Sequence, residues 1–382
     1  MAIECCHKLH IDLIVKKPNL LFIISDLGPG GAQLMNIWLV KELKKRGHDV
    51  QLIALFKRPW HEPLANSNLD IARLDAHGFG KFFFIPKLFS IVKRSDIVIA
   101  GEDLAATNYG FFVSKFANKP FIAWTHIAFH EHIKILGKLD RWLTDFVRRR
   151  VRRMIFPSQG ALESMSQYLG KHDDSWKVIE NFLPSSTQSS SAPPHPDWFS
   201  KPVLLGIGRL AEQKAFDRLV RIHAGMRASG ISQHLVILGD GPDRLALEQE
   251  IARLGVSDTV FLPGHVNNVA DWLAHATVFA LCSRYEGFAL VLLEALAAGV
   301  PTVAMDCPAG PREILRDGEA GVLVPEGDEI AMQAAIAELL AEPALRGRYA
   351  QAGLTRARDF TPEYIVPKWE ALLQDVWKQQ HG

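Results

Sequence analysis

The chain has 382 residues, of which 48% are hydrophobic and 22% are charged, and its formal net charge is +1. This length predicts two domains, with enough apolar material for two cores. A net charge so close to zero argues against a nucleic-acid partner.

The cysteines and the N-terminus bear on the cellular compartment. None of the four cysteines, Cys5, Cys6, Cys282 and Cys307, belongs to a C-x-x-C pair, so neither a zinc site nor a disulfide framework is indicated. The N-terminus has an early acidic residue and no uninterrupted apolar stretch, unlike a signal peptide. No window reaches the roughly 18 apolar residues of a membrane span. The sequence therefore predicts a cytoplasmic protein.

The first βα unit is predicted around a glycine-rich turn. Residues 19–25 form a continuous apolar run, typical of a buried parallel strand, and a helical period runs from Leu34 to Gly47. Gly30 and Gly31 lie between them, where glycine lets a ligand approach the backbone and a helix N-terminus favours negative charge. The turn is neither a G-x-G-x-x-G fingerprint nor a P-loop, so a tight turn without a ligand is an equal alternative.

Strands and helices alternate through the N-terminal half. Strands are predicted at 49–56, 69–74, 96–100, 120–124, 153–157 and 176–181, and helices at 84–93, 104–118 and 158–169, the last with Ser158 as N-cap. This alternation predicts a doubly wound parallel sheet. His126 directly follows the 120–124 strand, where it is either a ligand or an ordinary polar loop residue.

Residues 134–154 are the most basic segment of the chain. Helical spacing places Ile135, Leu139, Leu143, Phe146 and Met154 near one face, and the end is crowded by Arg148, Arg149, Arg150, Arg152 and Arg153. Two interpretations stay open. The segment is an ordinary surface helix with favourable cations near its C-terminus, or Arg148–Arg153 dock on an anionic membrane surface, where each basic residue contributes about 1 kcal/mol.

The composition changes abruptly at residues 183–200, which are rich in Ser and Pro and have no period. We interpret this stretch as a linker between an N-terminal domain, residues 1–182, and a C-terminal domain, residues 201–360.

The second domain begins with a buried strand from Val203 that leads to Gly208, Arg209 and Lys214. Arg offers a fork of donors and Lys a compact charge, so the two cations suit a diphosphate, with ordinary surface cations as the alternative. Further strands are predicted at 234–238, 260–262 and 278–281, and helices at 217–229, 244–254, 270–275, 329–341, 345–358 and 362–378.

The run from Phe288 to Val300 contains one residue that is neither apolar nor glycine, Glu294. It predicts a buried helix after a parallel strand, at the edge where α/β sheets bind anions. Glu286 precedes this helix, beside the flexible Gly287. From spacing alone, a Glu294 neutralised by an Arg or Lys and a helix-capping Glu286 are as well supported as a ligand site.

The context E-G-F-x-L-x-x-L-E-A-x-A-x-G-x-P at 286–301 resembles the paired-glutamate motif of retaining GT-B glycosyltransferases of family four. Residues 306–314 resemble a loop of the members that are of bacterial surface-polysaccharide type. The G-R-L-x-x-Q-K at 208–214, the W-T-H at 124–126 and the Gly30–Gly31 turn are similar to further motifs of this family. The resemblance implies an α/β fold of GT-B type, in which two Rossmann-like doubly wound parallel-sheet domains face a cleft. It also implies that a terminal helix, residues 361–382, crosses back to the N-terminal domain.

The resemblance implies a role for each motif residue. Arg209 and Lys214 would stabilise the donor diphosphate, and Glu294 would bind the ribose hydroxyls. His126 and Glu286 would position the donor sugar. The remaining implied donor-binding positions are Gly30, Gly31, Gly208, Val266, Gly287, Phe288, Ala289 and Leu290.

The implied function is a retaining hexosyltransferase that moves a sugar from a UDP- or GDP-sugar to a glycan or lipid-linked acceptor, in lipopolysaccharide, O-antigen or capsule assembly. It would act in the cytoplasm or on the inner face of the cytoplasmic membrane. The resemblance also implies that no metal or other cofactor is required, which agrees with the absence of a D-x-D motif from the sequence. A nucleotide-sugar epimerase of similar architecture and a non-catalytic nucleotide-sugar-binding protein stay as alternatives. An NAD-dependent oxidoreductase is disfavoured because no dinucleotide fingerprint is present.

Overall fold

The computed structural model describes residues 17–28, 30–56, 69–74, 81–129, 133, 136–184 and 193–381. These residues form two parallel sheets, one of seven strands and one of six. The strands of both sheets are mostly apolar and buried, as expected of sheets covered by helices on both faces. The predicted α/β fold with two doubly wound parallel sheets is confirmed.

The first sheet has the strand order β3-β2-β1-β4-β5-β6-β7. Its strands are β1 (Leu20–Ile24), β2 (Val50–Ala54), β3 (Ile71–Arg73), β4 (Ile97–Ala100), β5 (Phe121–Trp124), β6 (Arg153–Phe156) and β7 (Lys177–Val178). The helices of this half are α1 (Gly31–Lys45), α2 (Lys81–Arg94), α3 (Ala105–Phe116), α4 (Lys138–Arg148) and α5 (Gln159–Leu169). Strands β2 and β3 are therefore added on one side of β1, and β4 to β7 on the other. This change of side opens a crevice at the carboxyl ends of β1 and β4.

The second sheet has the order β10-β9-β8-β11-β12-β13. Its strands are β8 (Val203–Ile207), β9 (His234–Leu238), β10 (Val260–Gly264), β11 (Val278–Leu281), β12 (Thr302–Asp306) and β13 (Val322–Pro325). The helices are α6 (Phe216–Ala228), α7 (Arg244–Arg253), α8 (Val269–His275), α9 (Leu290–Ala297), α10 (Pro311–Ile314), α11 (Glu329–Ala341), α12 (Pro343–Ala357) and α13 (Pro362–His381). Here the crevice lies at the carboxyl ends of β8 and β11.

The basic segment is not one helix, so the predicted apolar face of residues 134–154 is wrong. Helix α4 ends at Arg148, and Met154 lies in β6. Leu139 is 83% exposed, while Ile135 lies outside the described residues. Arg148, the last residue of the helix, is buried in an ion pair with Asp103.

The same ion pair corrects the predicted membrane contact. Arg148 is fully buried, so it cannot belong to a lipid-facing patch. Arg149, Arg150 and Arg152 are exposed, and Arg153 is half-buried. Among the predicted basic residues, only these four have side chains that reach the surface.

Two other boundaries differ from expectation. The strand predicted at 176–181 is only Lys177–Val178, at the edge of its sheet. The buried helix predicted from Phe288 begins at Leu290, because Ala289 has a left-handed backbone with φ 59°. The helix start is therefore preceded by two residues whose backbone is not helical.

The last helix, α13, completes the core under the first sheet. Its buried residues in that core are Ile365, Val366, Trp369, Leu373 and Val376. The Trp369 ring lies against the Trp124 ring of β5, with 4.7 Å between centroids. Glu370 of the same helix accepts hydrogen bonds from Arg46 and His48 beyond α1. None of the described helices, α13 included, is long and apolar enough to cross a membrane.

The chain passes between the two sheets twice, and the two passages lie side by side. The amide of Leu183 donates a hydrogen bond of 3.0 Å to the carbonyl of Phe360, just before α13. Residues 185–192 of the predicted linker lie outside the described residues. After them, Trp198 stacks on Phe261 of β10 at 4.4 Å, so this end of the linker packs on the second sheet.

Replacing Trp369 with Ala should lower the free energy of unfolding by about 3–5 kcal/mol, because a fully buried ring would leave a cavity against Trp124. Urea denaturation followed by far-UV circular dichroism measures this. Tyr364→Ala is the matched control, since Tyr364 lies on the same helix and is 65% exposed. Equal losses in the two variants would contradict the role of α13 in the first core.

Candidate functional site

Loops from the two sheets touch across the cleft at Gly287 and His126. A Cβ atom at Gly287 would lie only 1.9 Å from the carbonyl oxygen of His126, so glycine is required there. The Ser158 hydroxyl donates a hydrogen bond of 2.7 Å to the Gly287 carbonyl. These contacts bring the predicted residues His126 and Glu286 to neighbouring positions, although they come from different domains.

A second contact closes the cleft beside the first. The Ser158 side chain accepts from the Ala161 amide at 3.1 Å and so caps α5, as predicted. The Glu313 carboxylate, from α10 of the second domain, accepts from the amides of Gln159 and Gly160 at 2.7 and 2.9 Å. Burial raises the pKa of Glu313, against these two stabilising hydrogen bonds. The N-terminus of α5 is thus held by the opposite domain.

Lys214 and Glu286 form an ion pair in the second domain. The Lys214 Nζ lies 2.6 Å from Glu286 Oε1, and the Ser283 hydroxyl donates to the same oxygen at 2.6 Å. Glu286 is 5% exposed. The stem of Lys214 crosses Gly208, where an added Cβ would lie 3.2 Å from Lys214 carbons. Glu286 does not cap the following helix, whose N-cap is Ala289.

Arg209 is the second cation that was predicted to bind the diphosphate. It lies two residues after the end of β8, and its exposed side chain has no hydrogen-bond or ion-pair partner among the described residues. Its guanidinium is therefore available to an anion. Val266, which follows β10, is half-buried against the core of the second domain.

The start of α9 presents unpaired amides to the cleft. Within the described part of the chain, the N–H groups of Phe288, Ala289 and Leu290 have no acceptor, as expected at a helix N-terminus. The Leu290 side chain packs on the cores of both domains. Gly31 approaches it so closely that an added Cβ would be 3.1 Å from Leu290 Cδ1. Gly30, beside Gly31, is the extended N-cap of α1.

Glu294 lies on α9 and is half-buried. It has no Arg or Lys partner among the residues that the structure describes, so the alternative of a structural ion pair is not realised. Burial raises its pKa from 4.5 to about 7. A carboxylate held in this way favours a ligand that can donate hydrogen bonds to it.

His126 is neutral and keeps one ring nitrogen free. Its ring packs on the Trp124 ring at 4.4 Å between centroids and hydrogen-bonds to the backbone of Gly101. Burial lowers the pKa of His126 to about 4. The buried Nε2 atom has no partner among the described residues, so Nδ1 makes the bond to Gly101 and Nε2 is an acceptor.

Three residues of this site were missed in the sequence: Glu102, Asp103 and Arg148. Asp103 accepts the His126 amide at 2.9 Å and pairs with Arg148 at 2.6 Å. Glu102 accepts the Ser25 amide at 3.0 Å, its Oε1 has no partner among the described residues, and burial raises its pKa to about 8. The available signal was the two acids that begin one residue after the strand predicted at 96–100. Arg148 gave no such signal, because four similar arginines follow it within five residues.

The described residues contain no group of three or more His, Cys, Asp or Glu side chains placed to hold a metal ion. The positive groups of the cleft are Arg209, Lys214 and the amides before α9. The acceptors are Glu286, Glu294 and His126. Together they can bind a polyanion next to a hydroxyl-rich group.

Two family profiles match successive parts of the chain. Residues 29–186 match Glycosyltransferase Family 4, and residues 196–356 match Glycosyl transferases group 1. The lipopolysaccharide core biosynthesis glycosyltransferase LpsE of Rhizobium meliloti (strain 1021) is 36% identical over 45% of this chain and 49% of its own. The relatives above 30% identity are covered over 22% to 49% of their length, so the chain spans about half of them or less.

Other relatives are matched over nearly their full length at lower identity. The Campylobacter jejuni α-1,4-N-acetyl-D-galactosaminyltransferase that acts on a diNAcBac-PP-undecaprenol glycan is 27% identical over 93% of this chain and 98% of its own. The crystal structure of Anabaena Alr3699/HepE in complex with UDP has a TM-score of 0.78 at 19% identity, over 94% of this chain and 100% of that one. With both halves matched in order along a single GT-B fold, the chain belongs to family four of the GT-B glycosyltransferases.

Proposed function

We propose that the protein transfers a sugar from a UDP- or GDP-sugar to a glycan or lipid-linked acceptor during assembly of a bacterial surface polysaccharide, such as lipopolysaccharide, O antigen or capsule. The observation that carries the proposal is the meeting at one cleft of a neutral histidine with one cation and three amides that have no partner among the described residues. The relative LpsE acts in lipopolysaccharide core synthesis, the Campylobacter relative on a lipid-linked glycan, and HepE binds UDP, all of which support the same chemistry.

In this proposal the positive groups hold the diphosphate. Arg209 offers two parallel donors to phosphate oxygens, and the amides of residues 288–290 add the positive end of α9. Lys214 adds a charge whose position is set by Glu286. As the bond to the sugar breaks, negative charge grows on the diphosphate, and these fixed groups stabilise it without a metal.

The remaining groups would bind the nucleoside and the sugar. Glu294, which has no cation partner among the described residues, would accept hydrogen bonds from the ribose hydroxyls. His126 Nε2 would accept one from a sugar hydroxyl, with Glu286 on the other side of the sugar. The backbone at Val266 would meet the base, and Gly30 and Gly31 would border the phosphates and the acceptor.

We further propose that the anomeric configuration is retained by attack from the front face. Glu286 is buried and already bound by Lys214 and Ser283, which suits an orienting role better than that of a nucleophile. The acceptor oxygen forms a bond to the anomeric carbon while the bond to the diphosphate breaks. The acceptor proton passes to an oxygen of the departing diphosphate.

Donor binding is tested with a panel of UDP-, GDP- and ADP-sugars, read by thermal shift and by release of nucleoside diphosphate, with EDTA present throughout. A donor at 100 times its dissociation constant should stabilise the protein by about 2.7 kcal/mol. Arg209→Ala and Glu294→Ala should lose this shift, because they remove a diphosphate contact and the ribose acceptor.

Arg253→Ala is the matched control, since Arg253 is an exposed arginine paired with Glu250 outside the cleft. If donor binding is unchanged in both Arg209→Ala and Glu294→Ala, the assignment of these residues to the donor site is wrong. Conversion of the bound sugar to an epimer without any acceptor would favour the epimerase. Binding with no transfer to any acceptor would favour the non-catalytic protein.

Donor binding should weaken as the pH falls from about 8 to about 6, because Glu294, with a pKa raised to about 7, accepts hydrogen bonds more strongly, and through both oxygens, when it is ionised. The fold without ligand should show the opposite trend, since a carboxyl with a raised pKa stabilises the folded state most when protonated. Titration calorimetry with the nucleotide sugar measures the first trend, and no phosphate of that ligand titrates in this range.

Glu294→Gln should flatten the pH trend in donor binding and reduce the trend in stability, to which Glu102, with a pKa raised to about 8, also contributes. The exposed Glu338→Gln should leave both trends unchanged. The dissociation constant of the wild type should rise by up to about ten-fold per pH unit below the pKa. A wild-type affinity independent of pH would remove Glu294 from the ribose site.

We also propose that the protein docks on the cytoplasmic face of an anionic membrane through α3 and α4. Leu139 and Trp142 of α4 are 83% and 64% exposed, and Phe116 of α3 is 78% exposed. The Phe146 ring stacks on the Trp142 ring, and the Arg150 guanidinium lies 3.7 Å from the centroid of the Phe146 ring. Apolar side chains beside exposed cations fit the interface of an anionic bilayer.

The double variant Leu139→Ser/Trp142→Ser should bind vesicles rich in phosphatidylglycerol about ten-fold more weakly than the wild type, because two side chains that would enter the interface are lost. Co-sedimentation measures the partition. Ile330→Ser is the control, since Ile330 is 84% exposed on the second domain. Equal binding to neutral vesicles, or an equal effect of the control, would rule out this surface.

A further inference from the structure

Asp103 joins three elements of the first domain. One carboxylate oxygen accepts the His126 amide at 2.9 Å, directly after β5. The other lies 2.6 Å from Arg148 Nη2 at the end of α4. Asp103 itself follows β4, and its side chain is 8% exposed. The carboxylate therefore links the end of β5 to the end of α4.

Arg148 is an unusual residue to bury. It is fully buried, its Nε and Nη1 atoms have no partner among the described residues, and burial lowers its pKa. Its guanidinium lies 5.2 Å from the centroid of Phe129. A buried ion pair of this kind is often no more stabilising than a pair of apolar residues. Stability alone is therefore a weak reason to keep it.

The backbone beside Asp103 is also strained. Leu104 has φ 64° and ψ −111°, which is unfavourable for a residue with a branched side chain. Such strain persists only where surrounding contacts fix the chain, and it is concentrated at functional sites. Here the fixing contacts include Asn36 to Gly101 at 2.5 Å and Thr107 to Glu102 at 2.7 Å, both to carbonyl oxygens.

Every side of His126 is held by a contact. Its amide donates to Asp103, its carbonyl abuts Gly287, and its ring packs on Trp124. Of its two ring nitrogens, Nε2 has no partner among the residues that the structure describes. A shift of the amide would rotate the whole residue and move this atom.

We propose that Asp103 and Arg148 are positioning residues that set the place of His126 Nε2 against the donor sugar. Asp103 fixes the His126 amide, and Arg148 fixes the orientation of the Asp103 carboxylate. This inference rests on the proposed function, in which His126 contacts the sugar and not the nucleotide. The rival account is an ion pair that only fastens α4 to β4.

Two double variants separate these accounts. Asp103→Leu/Arg148→Met replaces both charges by apolar groups of similar size and removes the acceptor for the His126 amide. Asp103→Asn/Arg148→Met removes the same charges but leaves an amide oxygen as acceptor. Because neither variant leaves an isolated buried charge, both are expected to fold. Arg152→Met is the control for an exposed arginine nearby.

Two readouts are compared: hydrogen exchange of the amides at 125–127, and the dissociation constants of UDP, UDP-glucose, GDP and GDP-mannose. In the leucine-containing double variant, exchange should accelerate. For the nucleotide that binds, the ratio of the sugar-linked to the sugar-free dissociation constant should rise about ten-fold, with the sugar-free value unchanged. The asparagine-containing double variant should fall between the wild type and the leucine-containing variant in both readouts, because it keeps the acceptor for the His126 amide but loses the orienting contact of Arg148. The control should resemble the wild type.

The proposal is overturned if the two double variants behave alike. It is also overturned if, in the leucine-containing double variant, the nucleotide and its sugar-linked form lose affinity equally. It is also overturned if exchange changes without a change in the ratio, because Asp103 would then fix the backbone without serving the sugar. If the wild type binds none of the four nucleotides, the proposed function fails. The difference in hydrogen exchange at residues 125–127 between the two double variants would then still decide whether Asp103 fixes the His126 amide.

Discussion

The site depends on one close approach of backbone to backbone, where Gly287 meets the carbonyl of His126. No side chain larger than hydrogen fits at this position, because a Cβ would lie 1.9 Å from that oxygen. The approach brings the end of β5 against the loop after β11, and Ser158 bonds to the Gly287 carbonyl beside it. The cations of the second domain therefore share one cleft with the neutral histidine of the first.

Charge in this cleft is distributed unevenly between the domains. The second domain contributes Arg209, Lys214 and the amides before α9, while the first contributes a neutral His126 and a Glu102 whose pKa burial raises to about 8. An anion would therefore be held mainly by one domain, and uncharged groups by the other. This division fits a ligand with a charged part and a hydroxyl-rich part. A ligand that has only the charged part would therefore report on the second domain and say little about the residues of the first.

The sequence predicted elements whose signal is local. The strands at 234–238 and 278–281 and the Ser158 cap follow from apolar runs and one capping residue. The burial of Arg148 was not predicted, because a charged residue in a basic run gives no sign that Asp103, 45 residues away, neutralises it. The Lys214–Glu286 pair was likewise missed, although both residues were singled out, since their contact depends on the packing of two loops 72 residues apart. Contacts made by tertiary structure alone have no local pattern.

The double passage of the chain between the sheets restricts how the two domains can separate. Leu183 and Phe360 lie on the two connecting segments and are hydrogen-bonded to each other, so both segments cross at the same place. Two adjacent connections allow rotation about the line where they cross and resist sliding or twisting about other axes. A hinge rotation about these residues is therefore the opening motion that the two connections restrict least. Along that arc, the contacts of Ser158 and Glu313 with the opposite domain would break, and ligand entry would be coupled to their loss.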